Sequence, residues 1–343
     1  MKPREVFKAQ IERRETDTVP YTVDFDGEID LQLDDYYGST AWRDSIQTFH
    51  KVAKAVNNRK RFPIDTPGLQ KDIWGTIWRH DRRPEHLEQP GMLEPSFAGY
   101  KWPAPEEFFA SAEEIEATQQ LCKHESDEYF IIANLGWGLF ESSWGLRGFE
   151  NVMMDMAAEP QFFEELLERL TEQFLAYVNF TCDQLPEIDA IMFGDDWSDQ
   201  RGIMGGPERW RKLFKPRVRQ IYDLAHKRGK FVITHCCGSV VDIMPDVIEI
   251  GLDMFESMQP EARGMNPYEL KAKFGKDIAF WGCLGSQSTI PFGTPDEIRT
   301  EVAKLKREMS KGGGFILAPA KTLQPGTPVE NAAAVVESFV NEG

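Results

Sequence analysis

From Ala112 onward the chain repeats one short pattern, a stretch of helical period, a turn, and a brief apolar run rich in β-formers. Helical patterns over Ala112 to Lys123, Pro160 to Leu185, Glu208 to Arg228, Val240 to Ile250, Tyr268 to Phe274 and Pro295 to Lys311 accompany this series. The strand-like runs are Tyr129 to Asn134, Ala190 to Phe193, Phe231 to Thr234, Met254 to Ser257, Ile278 to Trp281 and Phe315 to Ala318, and a last helix is expected from about Pro328 to Val340. Strands separated by helices run parallel and need cover on both faces, which restricts the fold to a doubly wound sheet or a barrel. Val19 to Phe25 reads as a first strand and Phe62 to Asp65 as a less clear one, bringing the count to eight. Eight such units over 343 residues predict an α/β protein built as a single (β/α)8 TIM barrel spanning 1–343.

The amino-terminal part is less regular. Lys2 to Glu15 alternates charged and apolar residues as a short amphipathic helix does, and Asp30 to Asn58 reads as helical with a break at Gly38. Asp72 to Trp78 alternates around a central Gly75, which predicts a hairpin in an N-terminal insertion covering one end of the barrel. Pro84 to Pro105 is expected as a surface loop. No glycine fingerprint follows the first strand, and Gly312 to Gly314 precedes a strand instead of opening a helix. Dinucleotide and phosphate-loop readings therefore fail.

In a barrel the strand carboxyl ends converge on one mouth. The fifth of the eight expected strands ends in His235-Cys-Cys-Gly238, and side chains alternate along extended chain, so His235 and Cys237 share a side while Cys236 points away. Imidazole and thiolate together are the ligands that zinc takes. Cys283, at the end of a neighbouring strand, is the expected third ligand, with Glu256 and Asp196 as oxygen alternatives. Adjacent residues face opposite ways, so of Asp195 and Asp196 one faces the pocket while the other caps a loop; Asp196 is the favoured pocket residue. It is a candidate general acid, acceptor or ligand. The loop Gly136 to Gly148 carries Trp137, Phe140, Trp144, Glu141 and Arg147, which suits an aromatic or apolar substrate. Asp195, Gln259 and Lys321 are further candidates for substrate contact.

Charge limits the partners. With 39 Lys and Arg against 56 Asp and Glu, the formal charge is −17, which argues against nucleic acid or an anionic membrane as the main partner. It also disfavours a substrate with many carboxylates unless arginines are concentrated locally. No run approaches the ~18 apolar residues of a membrane span, and the start does not continue into a signal-peptide core, so a cytoplasmic protein is expected. The five cysteines are not spaced as a disulfide framework and are expected as thiols or ligands. A homodimer is left open.

Several motifs together, Asp72-Ile-Trp-Gly-Thr-Ile-Trp78, Phe193-Gly-Asp-Asp-Trp197, His235-Cys-Cys-Gly238, Phe280-Trp-Gly-Cys-Leu284, Pro291-Phe-Gly-Thr-Pro295 and Gly312 to Pro319, resemble the uroporphyrinogen decarboxylase superfamily, in particular its cobalamin-dependent methyltransferases. The resemblance implies a (β/α)8 barrel. True decarboxylases of the family carry an arginine-rich segment after the first strand, where this chain reads Asp24-Phe-Asp-Gly-Glu-Ile-Asp30 and would repel a tetrapyrrole's carboxylates. Thiol-methylating members hold zinc through His-x-Cys plus a cysteine after the last strand; His235 and Cys237 match, but Ala318-Pro-Ala-Lys321 has no cysteine. The remaining branch passes a methyl group from a methoxylated substrate to cob(I)alamin on a separate corrinoid protein, since no cobalamin motif occurs in the chain itself. That is the expected activity, with zinc as Lewis acid. A cofactor-independent decarboxylase, or a barrel without chemistry that binds a ligand, are the alternatives.

Overall fold

The computed structural model describes residues 1–82 and 84–341. Its strands are β1 (His50–Ala53), β2 (Arg61–Pro63), β3 (Leu69–Asp72), β4 (Ile77–Arg79), β5 (His86–Gln89), β6 (Phe130–Trp137), β7 (Ala190–Gly194), β8 (Phe231–His235), β9 (Met254–Met258), β10 (Ala279–Leu284) and β11 (Phe315–Pro319). A seven-stranded parallel sheet runs in the order β1-β6-β7-β8-β9-β10-β11, and β2 to β5 form a separate four-stranded antiparallel sheet. Every residue of β10 and β11 is buried, as expected of parallel strands covered on both faces.

The covering helices follow from local signals. Thr294 accepts from the Glu297 N–H while Glu297 returns to the Thr294 N–H, so a capping box starts the helix Pro295–Met309. Its inward stripe is Ile298, Val302, Leu305 and Met309, the spacing that buries one helical face. Asn266 caps the helix Pro267–Phe274 in the same way. The predicted helix over Glu208 to Arg228 is broken into Pro207–Leu213 and Lys215–Lys227, because Pro216 cannot donate to the preceding turn. The expected helix over Val240 to Ile250 is shorter, Met244–Glu249. Among the described residues no helix is long and apolar enough to cross a membrane.

The amino-terminal expectations need correction. The helix expected over Asp30 to Asn58 covers only Ile29–Tyr37, where Gly38 at φ 67° ends it in the left-handed conformation. β1 follows; its sequence His-Lys-Val-Ala lacks the apolar run that marks its neighbours, although it pairs with β6 from His50–Phe130 to Ala53–Ala133. Phe62, expected in a barrel strand, belongs instead to β2 of the antiparallel sheet. Part of the expected Pro84 to Pro105 loop is likewise β5. β3 and β4 pair antiparallel across the Gly75 turn, as the alternation there predicts. The segment around Tyr21 is extended and parallel to β11, but it touches at isolated bridges, Tyr21–Leu317 and Phe25–Leu323. Pro20 can accept from the Leu317 N–H but has no N–H to return, which keeps the ladder short.

Phe7, from the helix Pro3–Ile11, is fully buried among Phe130 at 4.6 Å, and His50 and Trp281, each at 5.5 Å between ring centroids. Phe7→Ala is expected to lower stability by about 3 to 5 kcal/mol. Phe292, which is 84% exposed, serves as control, with Phe292→Ala expected to change stability by less than about 0.5 kcal/mol. Urea titration of both variants checks the contrast, and equal midpoints would show that the sheet does not depend on this helix.

Candidate metal centre

β7 and β8 pair so that Gly194 stands opposite His235, and β8 and β9 pair so that His235 stands opposite Glu256. Adjacent strand ends therefore bring Asp196, His235, Cys237 and Glu256 together. Alternation works as the sequence implies, with the His235 Nε2 3.2 Å from the Cys237 Sγ. Cys236 faces away and is buried, its Sγ 3.4 Å from the Ser198 Oγ. The Asp196 Oδ1 accepts from the Cys237 N–H at 2.7 Å and lies 3.7 Å from the His235 Nε2. Asp196, His235 and Cys237 each offer a ligand atom within 4.8 Å of the others, the one such group among the described residues.

Glu256 serves the histidine. Its Oε2 is 2.5 Å from the His235 Nδ1, on the far side of the ring from Cys237. A carboxylate on Nδ1 draws the proton there and leaves the Nε2 lone pair facing Asp196 and Cys237, the arrangement that prepares a histidine for a metal. Burial alone would lower the His235 pKa, but the charge of Glu256 and the hydrogen bonds with Cys237 and Glu256 hold it well above its ordinary value. A proton on Nε2 and a cation compete for the same lone pair.

Asp195 has a different role from its neighbour. It is fully buried and accepts from the Leu139 N–H at 3.0 Å, the Glu141 N–H at 2.9 Å and the Trp197 Nε1–H at 2.6 Å. It therefore caps the helix Leu139–Arg147 from across the sheet. Gly138 makes room for this, since a Cβ there would stand 2.6 Å from the Asp195 Cβ.

That cap places Glu141, which the sequence singled out only for polarity, in the first turn of the helix beside the centre. Glu141 is 8% exposed, and its carboxyl makes no hydrogen bond among the described residues. Burial, then the nearby charges of Asp196 and Asp195, push it up to about 8. Asp24 is also raised, by burial and by the charge of Glu256. Four carboxyl groups crowd one imidazole and one thiol, and a bound cation would relieve their mutual repulsion.

The structure separates the other candidates. Cys283, expected as a ligand, is buried with its Sγ 3.3 Å from the Met258 Sδ, and it feels the charges of Lys271 and Glu301 on the outer helices. A register shift at Trp281/Gly282 and a φ of 80° at Cys283 turn it out of the mouth. Phe140 packs against Phe149 and Phe214 and is buried, not a substrate contact. Gln259 is spent on loop anchoring, its Oε1 accepting from the Gln200 Nε2 at 3.0 Å and the Gly238 N–H at 3.1 Å. Asp195, as described, has no free face for a substrate. Lys321 is exposed just beyond β11. Trp137 and Trp144 do meet at the rim, their rings 4.8 Å apart, and Trp78 joins them at 5.6 Å from Trp137. A cleft of about 880 Å³ on the flank, lined by Tyr268, Lys271 and Lys304, lies between outer helices, away from the strand ends.

Residues 101–341 match the family model for uroporphyrinogen decarboxylase (URO-D). A methylcobamide:CoM methyltransferase MtaA of Methanosarcina barkeri is 29% identical over 174 residues, 51% of this chain and 47% of the relative. A uroporphyrinogen decarboxylase of Coxiella burnetii is 24% identical over 191 residues, 53% of this chain and 48% of the relative. The chain spans about half the length of these curated relatives. A solved structure described as a methyltransferase from Methanosarcina mazei shares the fold, with a TM-score of 0.69 at 19% identity over 99% of this chain and 98% of that one.

The raised Glu141 carboxyl has a thermodynamic signature. Between its ordinary value of 4.5 and about 8 the folded state holds a proton that the unfolded state has released, so this group's contribution to stability falls as pH rises. Glu141→Gln removes the effect, and the variant is expected to gain on the wild type by more than about 1 kcal/mol between mildly acidic and mildly alkaline pH. Denaturant titrations of metal-free protein across that range provide the measurement, and parallel pH profiles would contradict the assignment.

Proposed function

We propose, for a chain that belongs to the uroporphyrinogen decarboxylase family, that it moves a methyl group from a small methoxylated aromatic substrate to cob(I)alamin on a separate corrinoid protein. In this reading it is the O-demethylase component of such a system, and the whole of 1–343 is one (β/α)8 barrel domain with the Tyr21 segment as the eighth stave. The observation that carries it is the group of Asp196, His235 and Cys237 at adjoining strand ends, with Glu256 behind the imidazole. The similarity to corrinoid-dependent methyltransferases supports it.

Imidazole, thiolate and carboxylate are zinc donors, and zinc held by His235, Cys237 and Asp196 would supply a Lewis acid for the substrate oxygen as the methyl group leaves. Around it the protein's own groups divide the work. Glu256 holds the His235 ring in the tautomer that frees Nε2. Trp137 and Trp144, their rings inclined at 44° and backed by the buried Trp78, give an apolar aromatic edge against which an arene would pack beside the strand ends. Glu141, buried beside the centre with no hydrogen bond to its carboxyl among the described residues, would be the group to hand a proton to the departing oxygen. A single thiolate makes the donor set harder than one with two cysteines, which favours activation of oxygen over sulfur.

Protein purified without chelator is expected to contain close to one zinc per chain and to consume cob(I)alamin, followed by its absorbance, when a methoxybenzoate is added. His235→Ala is expected to lose both properties, and Glu256→Ala to weaken zinc binding by roughly 10- to 100-fold. Carbon dioxide release from an aromatic acid without zinc or corrinoid would overturn this reading in favour of a cofactor-independent decarboxylase.

A further inference from the structure

The helices Pro267–Phe274 and Pro295–Met309 end shortly before β10 and β11 begin, at the opposite end of the strands from His235. The cleft of about 880 Å³ lies between them, and its volume suits a small molecule. Gly312, Gly313 and Gly314 lead from there into β11 with φ of 72°, 72° and 74°, conformations that side chains rarely adopt. A Cβ on Gly313 would stand 2.3 Å from the Arg14 backbone, and one on Gly314 would stand 3.2 Å from the Arg13 Cγ and 3.5 Å from the Lys271 Nζ. The glycines thus let the end of the first helix and Lys271 close over one point.

Arg13 is out of place by the rules of its own helix. The Arg13 N–H donates to the Gln10 carbonyl at 2.9 Å and the Arg14 N–H to the Ala9 carbonyl at 2.7 Å, the paired bonds of a helix end whose left-handed residue is normally glycine. Here that residue is Arg13, at φ 57°. A strained backbone kept for the sake of a side chain is a mark of function. The side chain spends one donor, Nη1, on the Ile11 carbonyl at 3.2 Å.

Arg13, Lys271, Lys276 and Lys304 all line the cleft, and none is in an ion pair among the described residues. Elsewhere basic side chains meet acids, as Arg211 and Lys215 both do at Asp246. Lys271 is partly buried; its Nζ donates to the Gly313 carbonyl, and the acid whose charge it feels, Glu15, accepts from the Gly312 N–H at 2.9 Å. Lys304 rests 3.9 Å from the Tyr268 ring centroid. Of the two acids in the lining, Glu308 is already taken by Lys311 at 2.7 Å and by Arg307 at 2.9 Å, which leaves Glu269. The carboxyl ends of the helices add about half a negative charge each and make lysines welcome here, but they do not account for an arginine in a glycine's conformation.

We propose that this cleft binds a diphosphate group, free or as part of a larger molecule, with Arg13 and Lys271 on one side of it and Lys276 and Lys304 completing its charge. Four cations from separate stretches of chain exceed what one carboxylate can satisfy. A guanidinium fork and ammonium point charges are the donors that phosphate oxygens take. The site is separate from the metal centre and does not depend on the methyl-transfer reading.

Calorimetric titration at constant ionic strength, with pyrophosphate, ADP, orthophosphate and adenosine in turn, tests this. Pyrophosphate and ADP are expected to bind, and orthophosphate at least roughly tenfold more weakly. Arg13→Gly is expected to weaken pyrophosphate binding roughly tenfold, through the loss of charge-assisted hydrogen bonds, while the thermal midpoint stays or rises because glycine suits that conformation. Lys271→Met is expected to weaken it similarly. Because pyrophosphate also chelates zinc, the titration is repeated on His235→Ala, where the affinity is expected to be unchanged. Tighter binding of ADP than of pyrophosphate would assign the diphosphate to a larger molecule, and equal binding to the free ion. No binding of either, binding untouched by both cleft variants, equal affinity for orthophosphate, or binding lost in His235→Ala would each overturn the proposal.

Discussion

The mouth of this protein depends on one buried carboxylate. Asp195 leaves the end of β7 and takes two N–H groups from the first turn of the helix Leu139–Arg147 and one from the Trp197 indole. Burial pushes its own pKa up to about 7, against three donors that favour the charged form. By tying the segment after β6 to the end of β7, it sets the height and direction of Glu141. Because Asp195 points into the protein, strand alternation turns Asp196 the other way, toward His235 and Cys237. Without that tie the helix would start with unsatisfied donors beside an acidic cluster, and the strand ends would lose their common register.

The centre reads as a division between holding and orienting. His235, Cys237 and Asp196 share one small volume, while Glu256 stands behind the imidazole and selects its tautomer. An excess of carboxyl groups is costly in the empty pocket, and the raised Glu141 and Asp24 register that cost. The same excess is an attraction for a cation. Electrostatic strain in the free protein is therefore what a bound cation would relieve.

Much of this was legible in the chain. The regular βα alternation after Ala112 gave six of the seven parallel strands, and the parity of His235, Cys236 and Cys237 was correct because an undistorted strand end obeys the period of two. The same rule failed at Cys283, where a bulge between β9 and β10 resets parity and carries the thiol to the helix side. β1 was missed because its half-polar sequence resembles the end of a helix, and its strand character comes only from pairing with β6. Phe140 and Gln259 were placed at the mouth by proximity in sequence, whereas their rotation about the helix or loop axis is a tertiary property. Glu256 was seen as a ligand because sequence shows that a carboxylate arrives, not which ring nitrogen it meets.

The antiparallel sheet of β2 to β5 is a separate sheet laid against the segment that follows β6. It is entered by the short connection after β1 and left by the long stretch between β5 and β6, and it is tied down by the Asn58 amide clipped to the Trp137 backbone and by the Thr76 hydroxyl donating to the Gly145 carbonyl. A change in that sheet is therefore felt in the helix Leu139–Arg147 and, through it, at Glu141, so the two pieces of backbone are not free to shift independently.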